Sequence, residues 1–331
     1  MAEYKGIKGF KVQYLSADPS NPIIGQTWYN STSKDLKYTG VTTAGSWATG
    51  NNMNTGRQDV AGAGTQTAGL AFGGFIPPIS NVTEEYDGTS WTNSNPLNTV
   101  RYALGGAGTQ TAGLAFGGDT PPFSTATEEY DGNSWTNSNP MNIGRVFLAA
   151  AGTQTAALGF GGDDIPGDAT SSATEEYDGN SWTTSNGLND GRRALSGCGT
   201  QTAGLAFGGK TVASLYSTAT EEYDGNSWTT GGSLGTGRYS GAGFGTQTAG
   251  VYFAGNDGPP AFLTGETEEY DGTSWTTSPA SLNTTRFVLG GLGTQPAGLA
   301  FGGYVGSPTR TAATEEWNGA GSPTTKTITV S

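Results

Sequence analysis

Thr109-Gln-Thr-Ala-Gly-Leu-Ala-Phe-Gly-Gly118 and, further along the chain, Thr127-Glu-Glu-Tyr-Asp-Gly-Asn-Ser-Trp135 are two stretches that recur through this sequence. The first returns with its leading Thr at 65, 109, 153, 200, 246 and 294, in steps of 44, 44, 47, 46 and 48 residues. The second begins at Thr83, Thr127, Thr174, Thr220, Thr267 and Thr314. A Trp stands at 47, 91, 135, 182, 228 and 275, and an Arg follows at 57, 101, 145, 192, 238 and 286. Periods of this length mark repeat architectures, in which each unit buries its apolar faces against its neighbours.

One unit reads as four strands. Tyr102–Gly108 is a first strand of small residues, and Thr109-Gln110-Thr111 turns into a second, Ala112–Gly118. A loop leads to Thr127–Asp131, and Asp131-Gly132 is a hairpin signal, because Gly takes positive φ without steric cost. Trp135 then lies on a fourth strand. No segment holds an apolar pattern at helical spacing. Gly105-Gly106-Ala107-Gly108, Ala149-Ala150-Ala151-Gly152 and Ser196-Gly197-Cys198-Gly199 suit innermost strands that crowd around a common axis. Large aromatics such as Phe116 and Trp135 would fill the wider space between sheets.

The unit resembles the kelch repeat: a strand ending in Gly117-Gly118, then Glu128, Tyr130, Asp131, Trp135 and Arg145. The resemblance spans roughly residues 47–320 and implies an all-β, six-bladed, kelch-like β-propeller of four-stranded antiparallel blades, preceded by a short N-terminal extension. The last unit departs from the pattern, with Trp317-Asn318-Gly319 in place of Tyr-Asp-Gly and no Ser-Trp after it. Its outer strand must come from elsewhere. Ser46-Trp47 stands at the usual distance before Arg57 and restores the count of six. Lys326-Thr-Ile-Thr-Val330 is the rival, β-prone and nearby. The first is preferred, which divides the chain into an extension, 1–46, and a propeller, 47–331.

Composition narrows the chemistry. The 331 residues include 56 Gly, well above an average share, at fixed places in the repeat rather than in a collagen period. Histidine is absent, which excludes His-based triads, His-ligated zinc or copper and an imidazole pH switch. Kelch copper oxidases use such ligands, so that activity is not implied here. Cys198 is the one cysteine, so no intrachain disulfide forms and the redox compartment stays open. A buried small thiol is its expected state. No apolar run is long enough to span a membrane, and Met1-Ala2-Glu3-Tyr4-Lys5 does not begin a secretion signal. The net charge of −13, carried beyond residue 50, argues against nucleic acid as a partner.

Residues 1–46 stand outside the repeat. Gly9-Phe-Lys-Val-Gln-Tyr-Leu15 alternates like a strand. Gly25-Gln-Thr-Trp-Tyr-Asn30, Leu36-Lys-Tyr38 and Gly45-Ser-Trp47 together resemble a short module of bacteriophage tail-fibre and other virion proteins. That resemblance implies a virion setting, in several copies, with other virion proteins contacted through residues 1–46.

The Thr-Glu-Glu-Tyr-Asp-Gly segments gather 12 Glu and five Asp. Paired acids could serve glycoside hydrolysis or Ca²⁺ binding. Catalysis needs a unique, asymmetric pair, whereas six copies at one position are what a repeat requires for folding. No catalytic residue, metal site or cofactor is therefore expected, and each repeated Arg is expected to pair with a strand acid. Asp-Gly-x-Ser-Trp resembles the sialidase Asp-box, but its Asp–Gly spacing is wrong.

Variation is concentrated in the second-to-third and fourth-to-first connections, which share one face in an up-and-down sheet. Phe75, Ile76, Phe123, Ile165, Tyr216, Phe262 and Tyr304 lie there and are the candidate ligand- or partner-binding residues. The function expected is a non-enzymatic virion structural and binding protein that contacts a host-surface glycan or protein. The alternatives are a kelch-type adaptor outside a virion and a divergent glycan-active enzyme.

Overall fold

The structure, a computed structural model, describes residues 12–20, 23, 25–41, 44–120, 123–164, 170–213, 216–259, 262–306, 308–321 and 323–328. Every regular element among them is a β-strand or an isolated bridge. The chain divides into two compact units, residues 46–318 and residues 1–45 with 319–331.

The larger unit holds six four-stranded antiparallel sheets. One runs through Gly105–Thr109, Ala112–Phe116, Thr127–Tyr130 and Trp135–Ser138. Gly132 takes a φ of 91° in the Asp-Gly turn, which sets Tyr130 opposite Trp135. The second strand is buried on both faces and the outer strand on one. Each innermost strand lies against the next in sequence, and Gly290–Thr294 lies against Ala61–Thr65 to complete the circuit. The unit is a six-bladed β-propeller whose blades are open sheets. Crowding at the axis explains the glycines: a Cβ at Gly106 would lie 2.8 Å from the Gly62 carbonyl oxygen.

Between blades, one rule repeats six times. Each Trp lies against a Phe of the preceding blade, as Trp135 does against Phe72 (ring centroids 4.9 Å). Its indole Nε1 donates to a buried Thr hydroxyl there, as Trp135 does to Thr83 at 3.0 Å. The rule settles the closing strand. Ser46–Gly50 pairs with Thr314–Asn318, with Trp47 opposite Trp317. Trp47 donates to Thr267 and lies 4.8 Å from Phe253, as its five counterparts would.

In the smaller unit Gln13–Leu15 runs parallel to Thr27–Asn30, which forms a hairpin with Asp35–Val41. Of the strand expected over Gly9–Leu15, residues 9–11 lie outside the described residues, and the strand forms over Gln13–Leu15. The last strand of the chain, Pro323–Thr327, pairs with Asp35–Val41 rather than with any blade. Ring closure thus falls to Trp47 and not to the rival C-terminal segment.

Candidate recognition face

The repeated acids come first, because their partners decide what chemistry remains. The leading Glu of each pair points into the blade and meets the repeated Arg at 2.6–3.0 Å: Glu84 with Arg57, Glu128 with Arg101, Glu175 with Arg145, Glu221 with Arg192, Glu268 with Arg238, Glu315 with Arg286. The six guanidinium groups are fully buried. Burial pulls the Arg101 group down to about 10, with Glu128 opposing the shift. The second carboxylate oxygen accepts a loop amide, as from Asn98 at 2.7 Å.

The following Glu points outward and accepts the tyrosine hydroxyl of the next blade. Tyr86 reaches Glu316 at 2.6 Å, and Tyr130, Tyr177, Tyr223 and Tyr270 reach Glu85, Glu129, Glu176 and Glu222. Burial and the adjoining carboxylate push these hydroxyls upward, Tyr130 to about 12. Glu269 is the exception. Trp317 occupies the place of its tyrosine and donates instead to the Gln295 carbonyl at 2.7 Å, and burial raises the Glu269 carboxyl. The turn aspartates cap their own hairpins: Asp131 accepts the Asn133 and Ser134 amides and is held low by them. Eleven of the 12 glutamates and the five aspartates are thus engaged in folding contacts. Among the described residues no group of three or more Asp, Glu or Cys is placed to hold a metal ion.

The constant turns prove to be structural as well. Gln110 Nε2 donates to the Gly69 and Tyr86 carbonyls of the preceding blade, and Gln66, Gln154, Gln201 and Gln247 do the same.

At the opposite end the two variable connections are tied together. The residue after each repeated Arg forms an antiparallel bridge with the residue after the second strand's glycines: Gln58 with Phe75, Tyr102 with Asp119, Val146 with Asp163, Arg193 with Lys210, Tyr239 with Asn256, Phe287 with Tyr304. The next residue in each blade, Asp59, Ala103, Phe147, Ala194, Ser240 or Val288, takes a φ of 49–55°. Each donates its N–H to the carbonyl of its counterpart one blade back, at 2.7–3.0 Å, and Asp59 donates to Val288. Six peptide groups form a closed hydrogen-bonded circle around the axis. Left-handed backbone costs a non-glycine residue about 1 kcal/mol, and most for β-branched Val288.

Over this circle lies a cavity of about 260 Å³, walled among others by Gln58, Asp59, Arg193, Lys210, Tyr239 and Phe287. Arg193 pairs with Asp163 at 2.7 Å, and the Lys210 ammonium sits 4.9 Å from the Tyr239 ring centroid. Burial pushes the Asp59 carboxyl up to about 6.

None of the described sequence-derived residues lines this cavity. Phe75 is half-buried, with its ring centroid 5.5 Å from that of Tyr102 and the Arg310 guanidinium 4.8 Å above it. Tyr216 lies beside Tyr239 and Tyr304 beside Phe287, each next to a wall residue without itself lining the cavity. Ile76 and Phe123 are half-buried away from it. Phe262 is the most exposed, at 52 %. Ile165 lies outside the described residues. Sequence reasoning missed Arg193, Lys210, Tyr239 and Asp59. A signal was present: of the nine Lys and Arg between residues 46 and 318, six are the repeated Arg, and the other three are Arg193, Lys210 and Arg310.

Compared with known proteins, the chain matches no family model and no curated protein.

Proposed function

We propose that this chain is a non-enzymatic structural and binding protein of a bacteriophage particle, with its kelch-like propeller displayed for contact with a host surface or a neighbouring virion protein. The observation that carries the setting is in the smaller unit. The residues behind the resemblance to tail-fibre modules converge on one carboxylate: Asp18 accepts hydrogen bonds from Trp28 Nε1 (3.0 Å), Asn30 Nδ2 (2.7 Å) and Lys37 Nζ (2.7 Å). The Trp, the Asn and the apolar-Lys-aromatic strand of the motif are therefore the parts of one small cross-linked hairpin. The propeller supports the absence of catalysis, since its repeated acids are engaged by Arg, Tyr and turn amides.

Mass spectrometry of washed phage particles tests this reading. Stoichiometric recovery of the chain is expected. Recovery only from the lysate supernatant would replace it with an adaptor outside the virion. Hydrolysis of any member of a polysaccharide panel, abolished by one Glu or Asp substitution, would replace it with a glycan-active enzyme.

A further inference from the structure

We propose that the cavity over the hydrogen-bonded circle binds a single carboxylated sugar unit, with Lys210, beside the Arg193–Asp163 ion pair, holding its acid group and Tyr239 and Phe287 its ring face. The inference rests on the reading of this end of the ring as the recognition end, and it names the ligand class.

The first argument is electrostatic. Arg193 and Lys210 are directly opposed in an antiparallel bridge, each donating its backbone N–H to the other's carbonyl at 3.0 and 2.9 Å. Like charges in that relation destabilise a strand pair. The five equivalent bridges avoid it: each combines a neutral side chain with an acid, an amide or an aromatic ring. Asp163 offsets Arg193, whereas among the described residues the Lys210 ammonium has an aromatic face and no carboxylate. An anion seated at the Lys210 ammonium, beside the Arg193–Asp163 pair, would supply the countercharge this cation lacks among the described residues.

The second argument concerns the other walls. Asp59 and Gln58 bring acceptor oxygens, and the Gln58 Oε1 is buried without a partner. Ser240 adds a hydroxyl. Acceptors of this kind suit a ligand with several hydroxyl donors and disfavour a polyanion. Half-buried Tyr239, Phe287 and Phe147 supply flat apolar surface for the carbon face of a pyranose. The volume lies just below the roughly 300 Å³ at which drug-sized pockets begin, which fits one sugar and not a chain.

The test is calorimetric titration of the 331-residue chain with sodium glucuronate and galacturonate, with glucose and galactose as neutral partners and tetraglutamate as an acidic peptide. At least one hexuronate is expected to bind about tenfold or more tightly than its neutral counterpart. Lys210→Gln should abolish that preference without lowering the melting temperature, and Lys210→Arg should retain it. Tyr239→Leu should weaken acid and neutral sugars alike. Equal binding of acid and neutral sugars would overturn the proposal. So would binding of tetraglutamate alone, no hexuronate binding at concentrations on the order of 10 mM, or an unaltered preference in Lys210→Gln. Hexuronate binding by a chain absent from particles would sink the virion setting alone. Particle adsorption that depends on the loop aromatics, without hexuronate binding, would sink the sugar site alone.

Discussion

Arg101 and Glu128 show how one residue pair carries a blade. Both side chains are fully buried, and the guanidinium also donates to the Gly117, Ala126 and Ala115 carbonyls. Arg101→Met strands a buried carboxylate and should destabilise the ring by about 3–5 kcal/mol. Adding Glu128→Leu should restore part of that, because the desolvated charge is gone. Urea titration of the two variants checks the order, and a double variant less stable than the single would contradict it. Asp59 gives a second prediction at this scale. Burial raises its carboxyl from the ordinary value near 3.8 to about 6, opposed by the Gln58 hydrogen bond and the Arg310 charge. The folded state therefore holds a proton that the unfolded state releases. Its contribution is fully present below pH 4 and is lost as the pH rises through 6. Asp59→Asn should match wild type at pH 4 and exceed it at pH 7.5 by about 1–2 kcal/mol. Thermal melts at both pH values decide, and an advantage confined to pH 4 would reverse the assignment.

At the scale of elements, the strand Ser46–Gly50 gives the sixth blade its outer edge. Trp47 fills the space between Phe253 and Trp317 and holds Thr267 by its indole. A chain beginning at Asn51 loses that strand and should melt well below wild type. Trp47→Ala alone should cost about 3–5 kcal/mol. Removal of residues 323–331 should leave the propeller transition in place, since Pro323–Thr327 pairs outside the ring. Calorimetry of the three truncated or substituted chains would expose an error if the last were the most damaging. In the smaller unit the element is the hairpin held by Asp18. Hydrogen bonding from Lys37, Asn30 and Trp28 keeps that carboxyl at about 2. Its contribution is present above the ordinary Asp range and lost as the pH falls through 2. Asp18→Ala should accelerate amide exchange in Thr27–Asn30 and Asp35–Val41 while the propeller amides stay protected. Unchanged exchange in both strands would show that Asp18 is dispensable.

Across the propeller as a whole, symmetry separates support from specificity. The constant end repeats one inter-blade clamp, so Gln110→Ala should lower the melting temperature, each lost hydrogen bond contributing about 1 kcal/mol. The variable end differs from blade to blade. Phe262→Ala removes a mostly exposed ring and should leave melting within error while weakening adsorption to host cells or partners. Phe75→Ala should lower the melting temperature as well as weaken adsorption, because its ring is covered by Arg310 and Tyr102. Adsorption and melting measured side by side test the division; adsorption lost only in the Gln110 variant would place recognition at the other end.

Repetition made much of this legible before any fold. The spacing of Trp and Arg specified six blades, because a hairpin's hydrogen bonds lie within one repeat and leave their period in the chain; the spacing from Trp47 to Arg57 only favoured that strand over the C-terminal rival, and the pairing with Thr314–Asn318 decided it. The pairing of each repeated Arg with a strand acid was legible for the same reason. Which glutamate it takes was not, because side-chain direction alternates along a strand and only the assembled blade shows which side is buried. The glutamine clamps, the tyrosine–glutamate contacts and the circle of six peptides join residues of different blades, so no local pattern announces them. The pairing of Pro323–Thr327 with Asp35–Val41 and the meeting of Arg193, Lys210 and Tyr239 were likewise decided in three dimensions. Sequence periodicity dictates what each blade is; only ring closure brings the six unequal loops to one end of a common axis, because their contacts lie between blades and not within one repeat.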